Sequence, residues 1–333
     1  MKRRKQMENP PFDRLAMILV LTPLHPDVMS GLAGRFDVVE ADVSTARSLP
    51  PAVLSQVRGV ACAGTIPRSL VDALPGLEII ASFGVGYDGI DVAHAARCGV
   101  VVTNTPNVLN EDVADTAVWL LLEAARGFSK AQDWLREGRW ESEGPYPLSP
   151  LSLSGRSVGI WGLGRIGLAI ARRVEAFGLP ISYHSRRPVA GVPYHYQPSL
   201  QALAEAVDTL VAVVPGGSAT DRAIDGNVLA ALGREGIFIN VGRGSTVDED
   251  ALIRCLRDGT IAAAGLDVFA SEPRVREEFL ALDNVAVLPH VAAATARARG
   301  AVARLVVDNL VEWFAHARAL TPVSEVAAQC AEK

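Results

Sequence analysis

The stretch of sequence that decides the fold is VGIWGLGRIG, residues 158–167. It joins a short apolar run, typical of a buried strand, to three glycines and to a helix predicted over Ile166–Phe177. Gly162 allows a tight turn, Gly164 lets a pyrophosphate approach the backbone, and Gly167 lets helix and strand pack closely. Amide groups and the positive dipole end at the helix start would hold the phosphates. The other residues of this predicted dinucleotide-binding loop are Leu163, Arg165 and Ile166.

The chain after this stretch continues as an α/β domain. Apolar runs separated by helical patterns predict six strands, the size of a full dinucleotide-binding domain. These runs are Val158–Trp161, Ile181–Tyr183, Thr209–Val214, Gly236–Asn240, Ala263–Val268 and Val285–Leu288. A long helix is predicted over Asn110–Arg126, with Asn110 as its cap and Gly127 at its end, and Trp134–Pro150 is predicted to be irregular.

The first third of the chain predicts a smaller unit of the same class. Its five strand candidates are Leu15–Leu21, Val38–Ala41, Val57–Ala61, Leu77–Ala81 and Val100–Thr103. A final long helix after Pro289 is expected to return to this unit. The predicted fold is therefore α/β, with two doubly wound parallel-sheet domains of Rossmann or flavodoxin type and an active site in the cleft between them. Residues 13–107 with 291–333 form the expected substrate-binding domain, and residues 108–290 the dinucleotide-binding domain.

Composition excludes several classes of function. The 333 residues are 49% hydrophobic and 21% charged, with a net charge of -5, which disfavours nucleic-acid binding. No apolar run approaches the roughly 20 residues that span a membrane. The four cysteines lie far apart, without a CxxC pair and without a histidine at metal-ligand spacing. We therefore expect no metal site, reduced thiols and a cytoplasmic location.

The segment that should contact the adenosine ribose carries no acidic residue. An NAD enzyme usually has a carboxylate about 20 residues after the first glycine, but Ile181–Pro188 contains none. It contains Arg186 and Arg187, whose guanidinium groups suit a 2′-phosphate. The pair predicts NADPH as the cofactor, with NADH as an alternative if both arginines are only solvated surface residues.

Three polar residues follow successive strands of the second half. Arg243, Glu272 and His290 come after the runs that end at Asn240, Val268 and Leu288, where open α/β sheets bind ligands. Reduction of a carbonyl needs a proton donor, and an anionic substrate needs a cation. The three residues predict an acid/base set for a small anion, although each alone could be an ordinary surface residue.

Four motifs connect the sequence with a known family. NVGRG at 240–244, GLDVF at 265–269 followed by Glu272-Pro273, LPH at 288–290 and SFGVGYDGID at 82–91 resemble signatures of the D-isomer-specific 2-hydroxyacid dehydrogenases. The resemblance extends from about Leu15 to about Ala319 in the family's motif order. It implies that Arg243 holds the substrate carboxylate and carbonyl oxygen, that His290 is the general acid, and that Glu272 hydrogen-bonds His290 and keeps its imidazole charged.

The same resemblance implies roles around the cofactor and the substrate. Asp267 would hold the nicotinamide carboxamide, and the amides of Val85 and Gly86 would bind the substrate carboxylate. The cofactor cleft would be lined by Thr116, Val214 and Pro215.

Within the family, residues 183–187 resemble the glyoxylate/hydroxypyruvate reductase branch, which uses NADPH. Ser185 stands where NAD-preferring relatives carry Asp. The resemblance implies reduction of glyoxylate and hydroxypyruvate to glycolate and D-glycerate in a homodimer, with Trp140 reaching the neighbouring subunit's pocket. The alternatives are an NAD-dependent D-2-hydroxyacid or phosphoglycerate dehydrogenase, and a non-catalytic, corepressor-like dinucleotide sensor.

Overall fold

The computed structural model describes residues 16–323, which divide into two compact units. Of these residues, 16–108 and 296–323 belong to unit 1, and 109–295 belong to unit 2. The chain thus passes between units at 108/109 and 295/296, against expected boundaries of 107/108 and 290/291. Leu15, the predicted start of the first strand, lies outside the described residues. The assignment of the substrate to unit 1 and of the dinucleotide to unit 2 stays a prediction.

Unit 1 contains a five-stranded, all-parallel sheet in the order β2-β1-β3-β4-β5. The strands are β1 (Met17–Thr22), β2 (Asp37–Asp42), β3 (Val57–Cys62), β4 (Ile79–Ser82) and β5 (Val101–Thr103). The helices between them are α1 (Pro26–Leu32), α2 (Pro51–Leu54), α3 (Arg68–Asp72) and α4 (Val92–Arg97), with a 3-10 turn at Ala46–Ser48. All five predicted strands are confirmed, with slightly shifted ends.

Unit 2 contains a seven-stranded parallel sheet in the order β12-β11-β10-β9-β6-β7-β8. The strands are β6 (Val158–Trp161), β7 (Ile181–His184), β8 (His195–Tyr196), β9 (Thr209–Ala212), β10 (Ile237–Asn240), β11 (Ala263–Leu266) and β12 (Val285–Val287). The helices are α5 (Asn110–Arg126), α6 (Phe128–Arg136), α7 (Arg139–Ser142), α8 (Arg165–Ala176), α9 (Leu200–Glu205), α10 (Gly226–Leu232), α11 (Glu249–Arg257) and α12 (Glu277–Leu280), with a 3-10 turn at Gly244–Thr246. The last helix, α13 (Ala296–His316), belongs to unit 1.

Three details of the predicted organisation are wrong. The sheet of unit 2 has seven strands rather than six, because the two-residue strand β8 at its edge is too short to leave a sequence pattern. The stretch predicted as irregular contains the end of α6 and all of α7. Asn110 is the first residue of α5 rather than its cap, a position that Leu109 occupies. The predicted end of α5 is confirmed, since Gly127 adopts a left-handed conformation with φ of 60°.

Unit 1 buries apolar side chains on both faces of its sheet. Successive side chains of a strand point to opposite faces, so Leu19 of β1 joins one core cluster, while Ile18 and Val20 join the other. Val306 and Leu310 of α13 belong to that second cluster. The C-terminal helix therefore covers one face of the sheet that the N-terminal segment builds. Among residues 16–323, no helix combines the length and the apolar character needed to cross a membrane.

Candidate active site

The carboxyl ends of the strands in unit 2 carry most of the predicted site residues. The sheet grows from β6 in two directions, through β7 to β8 on one side and through β9 to β12 on the other. The switch point therefore lies between β6 and β9, where open α/β sheets bind their ligands. The predicted cofactor loop follows β6, and Arg243, Glu272 and His290 follow β10, β11 and β12.

The glycine-rich loop has the geometry that its three glycines predict. Gly162 has a φ of +105°, and a Cβ there would lie 2.8 Å from a methyl group of Val214. A Cβ on Gly167 would lie 2.2 Å from the carbonyl oxygen of Gly162, so only glycine fits between turn and helix. Gly164 differs because no atom lies within 4 Å of a Cβ built there. Its open side leaves space for a ligand phosphate.

The start of α8 suits an anion. Gly164 caps the helix without a side chain, and the first turn contains no acidic residue. The first N–H groups of any α-helix lack acceptors within the helix. The exposed Gly164 and Arg165 border this end. These features fit a dinucleotide pyrophosphate.

Ser185 supports this loop from the end of β7. Its hydroxyl accepts a 2.9 Å hydrogen bond from the N–H of Leu163, which joins the loop after β6 to the loop after β7. Arg186 and Arg187 follow directly and are exposed, and neither pairs with a carboxylate in the described part of the chain. Both guanidinium groups are thus accessible to a ligand phosphate.

Two buried polar side chains fix the backbone of Arg243. The side-chain amide of Asn240 donates to the Arg243 carbonyl at 3.0 Å, and the Thr246 hydroxyl donates to the same oxygen at 2.7 Å. Both side chains are fully buried. Gly244 brings this loop against the next one, since a Cβ there would lie only 1.9 Å from the carbonyl carbon of Phe269. Arg243 is therefore held beside the loop that carries Glu272.

Glu272 and His290 form a direct pair. Nδ1 of His290 lies 2.7 Å from Oε2 of Glu272, whose Oε1 accepts a 2.8 Å hydrogen bond from the N–H of Phe269. Burial raises the pKa of Glu272, but hydrogen bonds from His290 and Phe269 and the positive charge of Arg243 lower the pKa more, so its net value falls below the ordinary one. The ionised carboxylate favours a proton on Nδ1, so Nε2 is the nitrogen of the exposed His290 side chain that can face a reacting group.

Asp267 holds the turn that presents His290. Its buried carboxylate accepts backbone hydrogen bonds from Val291 at 2.8 Å and from Ala292 at 3.0 Å. His290 itself has a φ of 53°, an uncommon conformation for a residue with a side chain. Burial raises the pKa of Asp267, and the two N–H groups counteract that effect. Because a carboxylate has about four acceptor positions, Asp267 keeps capacity for a ligand donor.

The other predicted site residues occupy several different elements. Thr116 lies on α5, where its hydroxyl contacts the carbonyl of Ala292 at 3.4 Å. Val214 is half-buried and Pro215 exposed after β9, and Trp140 lies on α7 with 63% of its surface exposed. The cleft expected between the two units stays a prediction.

Val85 and Gly86 lie in unit 1, in the loop after β4. The side-chain amide of Asn104 donates to the Val85 carbonyl at 2.7 Å and so fixes the loop. Within the described residues, the N–H groups of Val85 and Gly86 have no protein acceptor. Two adjacent N–H groups of this kind suit a carboxylate.

Three residues that shape the predicted site, and one cluster in unit 1, are not predicted from the sequence. Asn240, Thr246 and Asn104 act by fixing backbone, a role that has no sequence signal without the loop conformation. The expectation that no histidine has metal-ligand spacing to a cysteine was wrong, because His94 and Cys98 lie four residues apart and approach Asp72.

The class of protein defined by this fold and site agrees with comparisons to known proteins. The family model "D-isomer specific 2-hydroxyacid dehydrogenase, NAD binding domain" matches residues 118–292. A glyoxylate/hydroxypyruvate reductase of Arabidopsis thaliana is 42% identical over 92% of this chain and 98% of that protein. A 2-ketogluconate reductase of Gluconobacter oxydans is 39% identical over 92% and 98%.

Solved structures give the same result. An NADPH-dependent glyoxylate/hydroxypyruvate reductase of Sinorhizobium meliloti, in complex with NADP and malonate, is 54% identical with a TM-score of 0.91, covering 93% of this chain and 97% of that one. A 2-hydroxyacid dehydrogenase of Ketogulonicigenium vulgare is 38% identical with a TM-score of 0.85, covering 93% and 98%. The chain belongs to the D-isomer-specific 2-hydroxyacid dehydrogenase family.

Gly164→Ala tests the fit of the glycine-rich loop. Its φ of -85° and the free space around its Cβ position mean that alanine leaves the fold intact, whereas the added methyl group occupies the space for the phosphate. We expect dinucleotide affinity to fall at least about tenfold by fluorescence titration, with an unchanged melting temperature. Gly226→Ala, at the start of α10, is the control for dinucleotide binding, since a Cβ there would meet only Ala251 at 3.9 Å. Wild-type affinity in Gly164→Ala would show that no phosphate binds there.

Proposed function

We propose that the chain reduces small 2-oxoacids, such as glyoxylate and hydroxypyruvate, to D-2-hydroxyacids with NADPH. The observation that carries the proposal is the Glu272–His290 pair with the charge of Arg243 beside it, on the same sheet edge as the glycine-rich loop. An acid/base pair and a cation are the groups that carbonyl reduction of an anion requires. The named activities of the Arabidopsis and Sinorhizobium relatives support the choice of substrate.

The charged residues divide the work of this reaction among them. Arg243 binds the substrate carboxylate and draws electron density toward the 2-oxo oxygen, which gains negative charge in the transition state. A nicotinamide cofactor held at the glycine-rich loop would supply a hydride, which carries two electrons and one proton. His290 donates a second proton from Nε2 to the oxygen, so that the C=O bond becomes a CH–OH group. Glu272 keeps the ring oriented through Nδ1 and stabilises its charged form.

Other residues position the two ligands. Asp267 uses its remaining acceptor capacity for the nicotinamide carboxamide, while its contacts with Val291 and Ala292 hold the His290 turn. The N–H groups of Val85 and Gly86 bind the substrate carboxylate. The cofactor is further lined by Thr116, Val214 and Pro215.

The cofactor preference follows from the loop after β7. Arg186 and Arg187 are exposed there, and Ser185 occupies the position before them without adding a negative charge. A guanidinium group offers a fixed fork of donors to a phosphate, whereas the ribose 2′-hydroxyl of NADH has no charge to attract it. The Sinorhizobium relative in complex with NADP supports this preference.

Replacement of both arginines tests the cofactor preference. In Arg186→Ala/Arg187→Ala, loss of two charge-assisted contacts should raise the KM for NADPH about 10- to 1000-fold and leave the KM for NADH nearly unchanged. Steady-state oxidation of each cofactor with glyoxylate measures both values. The double variant Arg234→Ala/Arg257→Ala, at two other exposed arginines, is the charge-matched control. Equal effects on NADPH and NADH would contradict recognition of the 2′-phosphate.

The Glu272–His290 pair is tested by two variants in the same assay. His290→Gln removes the proton donor and should lower kcat about 100- to 10,000-fold. Glu272→Gln retains the His290 ring but not the negative charge beside it, so we expect a smaller loss of kcat. Because the pKa of Glu272 is lowered from its ordinary value of 4.5, its carboxylate is ionised at every pH above 4.5. Glu277→Gln on α12 is the control.

Dinucleotide titration of His290→Gln separates loss of catalysis from loss of folding, because the cofactor loop is unchanged in that variant. Wild-type kcat in His290→Gln or in Glu272→Gln would contradict the assigned roles. Absence of turnover by the wild-type chain with any 2-oxoacid, despite dinucleotide binding, would favour the corepressor-like sensor instead.

The assembly and location are proposed as a homodimer in the cytoplasm. Several large apolar side chains of α5, α6, α7 and the following segment are exposed, a feature typical of protein interfaces. They are Trp119, Phe128, Leu135, Trp140 and Leu148. We assign this surface to a second copy of the chain, with Trp140 reaching the partner's substrate pocket. The free thiols of the described cysteines support a reducing compartment.

Leu135→Glu and Trp140→Ala separate dimer formation from pocket formation. Leu135→Glu places a charge in the proposed interface and should yield monomers in sedimentation analysis. Trp140→Ala should remain dimeric and raise the KM for hydroxypyruvate about tenfold. The exposed Leu280→Glu, on α12, is the control. A monomeric wild-type chain, or an unaltered KM in Trp140→Ala, would contradict the respective proposal.

A further inference from the structure

Three metal-ligating side chains of unit 1 meet at the ends of two helices. Asp72 is the last residue of α3, while His94 lies on α4 and Cys98 follows its last residue. Nε2 of His94 lies 2.7 Å from Oδ1 of Asp72 and 3.8 Å from Sγ of Cys98. The three ligand atoms all lie within 4.8 Å of one another. A carboxylate, an imidazole and a thiol from two chain segments therefore face one small volume.

The packing of α3 and α4 explains this arrangement. Residues four apart share one face of a helix, which places His94 and Cys98 side by side. The N-cap of α4, Asp91, is held by the N–H of His94 at 2.8 Å and by an ion pair with Arg68 of α3. The two helices are thus joined at Asp91, and Asp72 is brought to the far end of α4. The cluster does not depend on one flexible side chain.

The donor set favours a borderline-soft cation. Zn²⁺ binds thiolate, imidazole and carboxylate at about 2.0–2.3 Å, and three such ligands leave one position for water. Mg²⁺ and Ca²⁺ prefer oxygen ligands, of which this cluster offers only the Asp72 carboxylate. His94 Nε2, Asp72 Oδ1 and Cys98 Sγ are close enough for one small ion to bind all three atoms. The Asp72 carboxylate would only have to move slightly outward to make room for the ion.

One neighbouring charge opposes a cation. A guanidinium nitrogen of Arg97 lies 3.5 Å from Nδ1 of His94. When Nε2 binds a metal, the ring proton must lie on Nδ1, so the Arg97 group has to turn away. Arg97 is exposed and also interacts with the charge of Asp91, which gives it an alternative position. Removal of Arg97 should therefore strengthen metal binding.

The cluster lies away from the loop that contains Val85 and Gly86. That loop follows the carboxyl end of β4, whereas α4 runs back from it and Cys98 precedes the start of β5. Within unit 1, the cluster thus lies at the amino-terminal ends of the strands. A metal bound there would join α3 to α4 without taking part in the chemistry proposed at the carboxyl ends of the strands.

We infer that Asp72, His94 and Cys98 form a binding site for Zn²⁺ or a chemically similar divalent cation. On binding, Cys98 loses its thiol proton to solvent, and the cation replaces the proton shared by His94 and Asp72. Because the bound metal connects two helices, it stabilises the folded unit by mass action. The inference is independent of the proposed reductase activity.

The test uses the full chain without a histidine tag, stripped with a chelator and kept reduced. Titration with Zn²⁺ against a chromophoric chelator should show about one tightly bound ion per chain. Co²⁺ should give a thiolate-to-cobalt charge-transfer band, which reports the cysteine directly. An excess of Mg²⁺ or Ca²⁺ should not displace the zinc.

Variants assign the ligands. Cys98→Ser should abolish the charge-transfer band, and Cys98→Ser and His94→Gln should each weaken zinc binding at least about tenfold. Cys330→Ser and His316→Gln are matched controls that should bind like the wild type, and Arg97→Met should bind more tightly. Circular dichroism and dinucleotide titration establish that each variant is folded.

Three results would overturn the inference. One is the absence of stoichiometric zinc in the reduced wild-type chain. Another is undiminished binding by folded Cys98→Ser, and the third is displacement of zinc by Mg²⁺, which would indicate only a weak carboxylate contact.

Discussion

Close approach of backbones at the carboxyl ends of the strands is the constraint on which the site in unit 2 depends. Val213 and Val214 lie between Gly162 and Gly242, and a Cβ on either glycine would lie within 2.8 Å of Val214. Gly244 and Phe269 are closer still. These neighbouring loops are in contact through their backbones and not through intervening side chains. Residues that follow separate strands are therefore close enough to act on one small substrate. A methyl group at Gly242 or Gly244 would force the loops apart.

Buried polar contacts convert this packing into orientation. Asn240 and Thr246 hold the carbonyl of Arg243, and Asp267 holds the N–H groups after His290. The cost of burying the Asp267 charge is offset by hydrogen bonds that also determine the direction of the His290 turn. The Arg243, Glu272 and His290 side chains then couple electrostatically, which is visible in the lowered pKa of Glu272. Structure and reactivity at this edge rest on the same contacts.

Much of this arrangement is predictable from sequence. VGIWGLGRIG at 158–167 predicts strand, turn and helix, because three glycines at that spacing satisfy three separate steric demands. The positions of Arg243, Glu272 and His290 after successive strands predict that they share one sheet edge. The strands of unit 1 follow from apolar runs alone. The parallel order explains why these local patterns suffice, since each crossover returns the chain to the same edge.

The remaining features depend on tertiary contacts. The second role of Asp267, as acceptor for Val291 and Ala292, needs the turn conformation and not only the GLDVF motif. The contact of Ser185 with Leu163 requires the spacing between β6 and β7. The two-residue strand β8 forms because it pairs with β7, and not because its own residues favour a strand. Likewise, His94 and Cys98 have helical spacing in the sequence, but Asp72 joins them only because α3 packs on α4.

A crystal structure with NADPH and oxamate, a 2-oxoacid analogue that is not reduced, would test whether the carboxyl ends of these strands form the active site. We expect the pyrophosphate over Gly164, the 2′-phosphate on Arg186 and Arg187, the oxamate carboxylate on Arg243, and Nε2 of His290 within about 3 Å of the amide oxygen that replaces the 2-oxo group. A dinucleotide bound elsewhere, or oxamate bound without contact to Arg243 and His290, would contradict the assignment of this sheet edge as the active site.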